Sequence, residues 1–400
     1  MVLSSLLFFA ASAAASPLAQ RGLPPSGVAV ANYGPDLAYT VQLKVGTPAQ
    51  TLTFLVDTGS ADLWVLSSAV ASSTGSSSAG FNSGHSSSFA LNSAAGAFDN
   101  VYASGEAQGQ WANDVVCLGS QCVRQAFALA NARSPGLINN PIGFSFAGTP
   151  IAGILGLDFG QPLVAQAQTP LWQQLAANWA DKQFGLGLSR GPTDYFAAPF
   201  STPGKTGSTL TLGGTNAALY TGSINYIPVP ATTDFWRVPL GGVTVGSATV
   251  ATGVYGSPLW AAFDSGSATI AGYPSSVAEI YGAIPGAWLS PQGYAVPCDG
   301  VSPGSTAGVP ALGISFQLGG QSYALADADA IQFAVPSAFF AGQGVTPPGS
   351  ANQWCIGSIQ PYSPWPATLP PAFILGTPFL KNWYSAYRSR PPAIGLAKSR

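Results

Sequence analysis

Apolar and polar residues alternate with a period of two along much of this chain, the pattern of half-buried strands. Tyr39 to Val45 and Thr51 to Val56 both alternate, and Gly46-Thr47-Pro48 between them predicts a hairpin turn. Two stretches read as helices instead. Thr169-Pro170 supplies an N-cap and a first-turn proline for Leu171 to Ala180. Ser276-Val277-Ala278-Glu279 has the spacing of a capping box and predicts a helix to about Ile284. Residues 67–93, rich in Ser, Ala and Gly, predict a solvated loop able to carry O-linked sugars. Residues 189–205, broken by Pro and Gly, mark the boundary between two halves.

Each half carries a copy of one short phrase. Asp57-Thr58-Gly59-Ser60-Ala61 follows the apolar run Phe54-Leu55-Val56, and Asp264-Ser265-Gly266-Ser267-Ala268 follows Ala261-Ala262-Phe263. A second echo keeps the same order: Ile154-Leu155-Gly156 in the first half, Ile374-Leu375-Gly376 in the second. One Asp-Thr-Gly by itself is usually a capped turn. Two motifs repeated in the same order point to duplicated lobes.

Composition agrees with two β-rich domains. Four hundred residues exceed one simple core, and 48 Gly with 34 Pro imply many turns. Only 7% of residues are charged, the formal net charge is −2, and no basic run occurs. Nucleic acid and acidic membrane surfaces therefore have no electrostatic support as partners. Residues 1–16 hold the apolar run Leu6 to Ala10 and end in small residues, which predicts a signal peptide and a secreted, extracellular protein. Residues 17–35 read as a short Pro/Gly-rich leader, and no membrane anchor is expected. Four cysteines fit an oxidising compartment. Cys117, Cys122, Cys298 and Cys355 allow three connectivities, of which nearest-neighbour pairing is the simplest. With one histidine and no Cys-x-x-Cys, neither a metal site nor another cofactor is expected.

The duplicated Asp turn suits one chemistry. If a pseudo-twofold axis relates the halves, Asp57 and Asp264 meet on it. Two carboxyls in contact cannot both ionise, so they share a proton. The charged one takes a proton from water while the neutral one hydrogen-bonds a scissile carbonyl. Glycine after each Asp-Thr/Ser lets the backbone pass close to the partner carboxylate. Ser60 and Ser267 are expected to hydrogen-bond the outer carboxylate oxygens. A Ser-His-Asp triad would have to use His85, which stands in the Ser-rich stretch without a Gly-x-Ser-x-Gly elbow.

These residues resemble the pepsin-type aspartic proteases, secreted fungal members in particular. The shared-proton mechanism is familiar from pepsin itself. The resemblance runs from about Tyr39 to Ala397. It rests on Val45-Gly-Thr-Pro-Ala-Gln50, Phe54 to Ser60, Leu63-Trp64-Val65, Gly207 to Gly214, Tyr220 to Asn225, Trp236 and Phe373 to Leu380. It implies a mostly β, bilobal fold with pseudo-twofold-related lobes and a few short helices. The expected lobes are 36–190, holding Asp57 and a flap, and 191–400, holding Asp264. It further implies Asp57 and Asp264 as the catalytic dyad, Tyr102 as the flap tyrosine, and Trp64 as the indole bonded to the Tyr102 hydroxyl. Leu55, Gly59, Gly266 and Tyr102 would line the substrate site. Cys298–Cys355 would be the usual second-lobe disulfide. The implied activity is cleavage of protein or peptide substrates near bulky hydrophobic residues at acid pH, by a monomer.

Several positions depart from the pattern. Ala103 follows the flap tyrosine where Gly is common, Ala152 stands for a frequent Asp, and Ser265 and Ser267 replace threonines. Arg21 is the sole basic residue between the expected signal peptide and Tyr39, where relatives carry a longer basic propeptide. Two other classes compete: a catalytically inactive relative acting as a binding or inhibitor protein, and a noncatalytic wall protein. The second predicts repeated polar surface motifs, which the chain lacks.

Overall fold

Strands Ala38–Val45 and Gln50–Asp57 pair antiparallel with Val45 opposite Gln50, closing the predicted hairpin. The structure is a computed structural model that describes residues 23–400, except 34–35, 74–79, 103–104, 134–150, 160–167, 192–206, 232, 234, 255, 302–307, 363–369 and 371. The expected signal peptide, most of the connector 189–205 and Ala103 lie outside the described residues.

Among the described residues, the hairpin belongs to a 14-stranded sheet that runs through both halves of the chain. From Gln50–Asp57 it continues to Ile151–Gly156, Leu63–Leu66, Gln121–Arg133 and Gly105–Leu118. In the other direction it passes through Ser26–Tyr33, Ser208–Leu212, Gln183–Gly187, Trp383–Ser389 and Pro392–Ser399. Two expectations are revised here. Part of the stretch assigned to a leader, Ser26–Tyr33, is a strand of this sheet, with Val28, Val30 and Tyr33 buried. The lobes also do not divide cleanly at 190/191, since the last two strands return to pair beside Gln183–Gly187. Smaller sheets of nine and four strands complete the second half.

The two sequence echoes prove to be neighbours in space. Gln50–Asp57 lies parallel to Ile151–Gly156, with Asp57 beside Gly156. Ser257–Phe263 lies parallel to Ala372–Leu375, with Phe263 beside Leu375. In each half a third strand then pairs antiparallel with the Ile-Leu strand: Leu63–Leu66 in the first, Ile270–Gly272 in the second. The same three-strand unit thus presents each Asp turn. The glycine ending each Ile-Leu-Gly is required by space, because a methyl group on Gly156 or Gly376 would stand 2.4 Å from Ala61 C or 2.1 Å from Thr269 O.

The helices are few and short; the first starts at Leu171 as expected but ends at Ala176, short of Ala180, and the second starts earlier than expected. Leu171–Ala176 begins after Pro170, which takes the N-cap position instead of the first turn. The second helix begins at Pro274, ahead of the expected capping box, and spans Pro274–Gly282. Ser276 is buried inside it, so its hydroxyl does not cap. Proline at the first helical position already suits the fixed φ and missing N–H. The Ser-rich stretch is not wholly a solvated loop: Ser68–Ser73 is a helix and Phe81 is buried. Two disulfides form, Cys117–Cys122 across a hairpin turn and Cys298–Cys355 between segments of the second half. Trp236 joins the halves, its indole donating to the Leu157 carbonyl at 2.9 Å while its ring packs against Trp172, Phe184 and Tyr387.

Candidate active site

Each Asp turn is held by the other. The Thr58 hydroxyl donates to the Phe263 carbonyl at 2.8 Å and accepts from Ser265 N–H at 2.9 Å. Reciprocally, the Ser265 hydroxyl donates to the Val56 carbonyl at 2.7 Å and accepts from Thr58 N–H at 3.1 Å. Four buried bonds across the pseudo-dyad leave the turns little freedom. The hydroxyl residue after each Asp was the sequence signal for this brace, and it had not been assigned a role there.

The brace brings the carboxyls together. A methyl group on Gly59 would lie 2.5 Å from Asp264 Cγ, and one on Gly266 would lie 2.6 Å from Asp57 Oδ1. Only glycine permits this approach. Gly59 N–H donates to Asp57 Oδ1 at 2.9 Å, and Gly266 N–H to Asp264 Oδ1 at 2.8 Å. Burial, then the charge of Asp57 and a hydrogen bond with it, push Asp264 well above the ordinary carboxylate range. The N–H groups of Gly266 and Ser267 oppose that shift.

The serines behave differently. Ser60 Oγ donates to Asp57 Oδ2 at 2.5 Å, as expected. Ser267 does not make the matching bond: its hydroxyl donates to the Thr269 carbonyl at 3.0 Å. The expectation of two symmetric hydroxyl supports is corrected on the Asp264 side, where the carboxyl is held by the Gly266 N–H and the Ser267 hydroxyl turns away.

Above Asp57 stands the hairpin Ala97–Tyr102 and Gly105–Leu118, with Tyr102 opposite Gly105. Trp64 Nε1 donates to the Tyr102 hydroxyl at 2.7 Å. Asn100 Nδ2 donates to the same hydroxyl at 3.1 Å and to Asp62 Oδ2 at 3.3 Å. Asn100 and Asp62 were not singled out in the sequence. Leu55, 5% exposed, sits within the apolar cluster of Trp64, Phe98, Trp111 and Ile154 on which Tyr102 packs. It supports the hairpin from below and has little surface to offer a ligand.

Two further carboxyls lie close to the Asp57 turn. Asp62 is 2% exposed, and burial pushes it up to about 7. Asp158 is fully buried and raised well above the carboxylate range, first by burial, with the negative charges of Asp57 and Asp264 adding to it. Where the second half meets the start of the fold the charges are paired instead. Lys381 Nζ bridges Asp36 Oδ2 at 2.7 Å and Asp329 Oδ1 at 2.8 Å, and Arg190 reaches Asp329 Oδ2 at 2.6 Å. Burial raises Asp329, but Lys381 and Arg190 outweigh it and hold the carboxyl below its ordinary value. Asn32 and Tyr39 also donate to Asp36, fastening the start of the fold to the second half.

A cavity of about 100 Å³ opens beside the dyad, lined by Thr58, Gly59 and Asp264 together with Phe235, Arg237, Ala262 and Ile374. Among the described residues, no three His, Cys, Asp or Glu side chains are placed to hold a metal ion. No helix among them is long and apolar enough to cross a membrane.

A two-lobed β fold with an Asp turn from each half meeting at the centre is the arrangement of the pepsin-like class. The crystal structure of an aspartic proteinase from Irpex lacteus superimposes with a TM-score of 0.67, covering 94% of this chain and 98% of that one at 22% identity, a likeness of fold. The sequence model described as eukaryotic aspartyl protease matches residues 38–399. Major aspartyl peptidase 1 of Cryptococcus neoformans var. grubii is 31% identical over 93% of this chain and 70% of its own length. Pepsin A of Sus scrofa is 27% identical over 90% of this chain and 81% of its own. The chain belongs to the eukaryotic aspartyl protease family and is an aspartic-type endopeptidase.

Proposed function

We propose that this protein is a secreted endopeptidase that hydrolyses peptide bonds at acid pH, with Asp57 and Asp264 as its catalytic pair. Asp264 holds the shared proton, because burial and the neighbouring charge disfavour its ionised form. Asp57 supplies the negative partner, both its oxygens accepting hydrogen bonds from Gly59 and Ser60. A water between them loses a proton to the carboxylate as it attacks the scissile carbonyl, and the Asp264 proton is donated to the carbonyl oxygen. The resulting tetrahedral diol collapses with proton return to the leaving amine. Tyr102, held by Trp64, closes the cleft over the substrate, and Gly59 and Gly266 leave room for its backbone.

The observation that carries this reading is the contact of each turn's glycine with the opposite carboxyl, at 2.5 and 2.6 Å for an added methyl group. Phe235, Ala262 and Ile374 beside the dyad support apolar contacts with substrate. Two disulfides and the apolar start of the chain support secretion, and both aspartates in one chain support a monomer. The test is cleavage of denatured haemoglobin across pH 3–7, with and without a pepstatin-type inhibitor. Inhibitor-sensitive activity confined to the acid side is the expected outcome. A folded protein that binds the inhibitor yet cleaves nothing would place it with inactive binding relatives.

A further inference from the structure

Arg237 is a cation in the cleft with no anion to answer it among the described residues. It stands on strand Arg237–Val245 directly opposite Ala262 of strand Ser257–Phe263. Along that second strand Leu259, Ala261 and Phe263 are buried, whereas Trp260 and Ala262 are partly open. Strand alternation puts Trp260 and Ala262 on one face, Asp264 continues it, and a residue paired with Ala262 shares that face. Arg237 and the dyad therefore look into the same space. The other wall is Ile374, paired with Ala262 from the parallel strand.

The guanidinium is held by its face and not by its edge. Its Cζ lies 5.3 Å from the ring centroid of Trp260, a cation–π contact that fixes orientation. Its Nε is buried without a hydrogen-bond partner. Among the described residues no carboxylate lies within ion-pair distance, the three ion pairs all belonging to the Lys381 cluster. Arg190, by contrast, binds Asp329 through both Nε and Nη2. Arginine stays charged at any working pH and presents a planar fork of donors that matches a carboxylate. The adjoining cavity of about 100 Å³ has room for about three waters at roughly 30 Å³ each, or for one medium side chain.

We propose that Arg237 makes this cavity a subsite for an acidic side chain of the substrate. A glutamate fits best: its stem lies against Ala262 and Ile374, and its carboxylate reaches the free edge of the guanidinium. The inference rests on the endopeptidase reading and deepens it, adding one charge-selective position to a cleft that otherwise takes apolar groups.

The experiment is a cleavage profile of matched peptides carrying Glu, Gln or Lys at each position flanking one scissile bond. Wild type, Arg237→Met and Arg237→Glu are compared between pH 3 and 5.5, each folded by circular dichroism. Wild type should prefer Glu over Gln at one position by roughly tenfold, the size of one charge-assisted hydrogen bond. That preference should grow with pH as the substrate glutamate ionises near about 4.3. In Arg237→Met the Glu/Gln ratio should fall to about one, and Arg237→Glu should favour Lys at the same position. An Arg237→Met profile identical to wild type overturns the proposal alone. Absence of any inhibitor-sensitive cleavage by wild type overturns the endopeptidase reading and this subsite with it.

Discussion

The Asp57 turn and the Asp264 turn share nearly the same five residues, yet their surroundings differ in charge balance. Among the described residues the buried carboxyls around Asp57 meet no cation: Asp62 accepts from an amide, and Asp158 Oδ1 accepts from the Phe159 N–H at 2.8 Å. At the corresponding places beside Asp264 stand Thr269 and Pro378, which cannot ionise. The second half keeps its buried Asp329 charged by surrounding it with Lys381, Arg190 and Asn382. The carboxyls around Asp57 therefore store protons, whereas the Asp36–Asp329 cluster stores an ion-pair network. A carboxyl without a cation is buried at low cost only when neutral, which ties the fold to acid.

Replacing a dyad member should have the largest effect. Asp57→Asn and Asp264→Asn should each lower kcat/KM by at least about 10³, in the upper part of the range for losing an acid–base group. Peptide hydrolysis at acid pH measures this, with unchanged circular dichroism as the folding control. Full activity in either variant would remove the catalytic assignment.

Breaking the paired cluster comes next. Lys381→Met leaves Asp36 without a cation and Asp329 with Arg190 alone, and should cost about 3–5 kcal/mol in unfolding free energy. Urea titration near pH 5 reads it. A neutral result would mean that water, not Lys381, compensates those carboxyls.

The proton-storing carboxyls give a pH signature of opposite sign. Asp62 has its folded value raised to about 7 from the ordinary 3.8, so between those values the folded state keeps a proton that the unfolded chain has released. Its contribution to stability is therefore fully present below pH 3.8 and lost as pH rises through 7. Asp329 is shifted downward, so its contribution is present above the ordinary carboxylate value and lost as pH falls through the folded one. Asp62→Asn should flatten the decline in melting temperature between pH 4 and 7, a difference on the order of a few kcal/mol at neutral pH. An unchanged slope would assign that decline to Asp158 and the dyad.

The smallest effect separates the two serines. Ser60→Ala removes a hydroxyl that donates to Asp57 and should lower kcat/KM about tenfold. Ser267→Ala removes one that serves only the local turn, and should change kcat/KM by less than about twofold. Equal losses would show that the site works symmetrically despite its wiring.

The hairpin 38–57, the duplicated Asp turns and the β-rich class were legible because period, turn residues and repetition are local properties. The start of the second helix differs for a local reason too, since Pro274 competes with Ser276 for the same end and wins. Arg237 and Asp62 gave no signal. A single arginine or aspartate in a strand-rich chain looks like any other until its neighbours are known.

The order of residues determined that an aspartate would sit at the tip of an apolar strand twice, each followed by a hydroxyl and a glycine. Tertiary structure decided which hydroxyls brace the opposite turn and that Ser60 and Ser267 part ways. It also decided which buried carboxyls meet a lysine and which meet only amides. The physical reason is that turn geometry is set by adjacent residues, whereas desolvation and Coulomb interaction depend on groups brought close from hundreds of positions away.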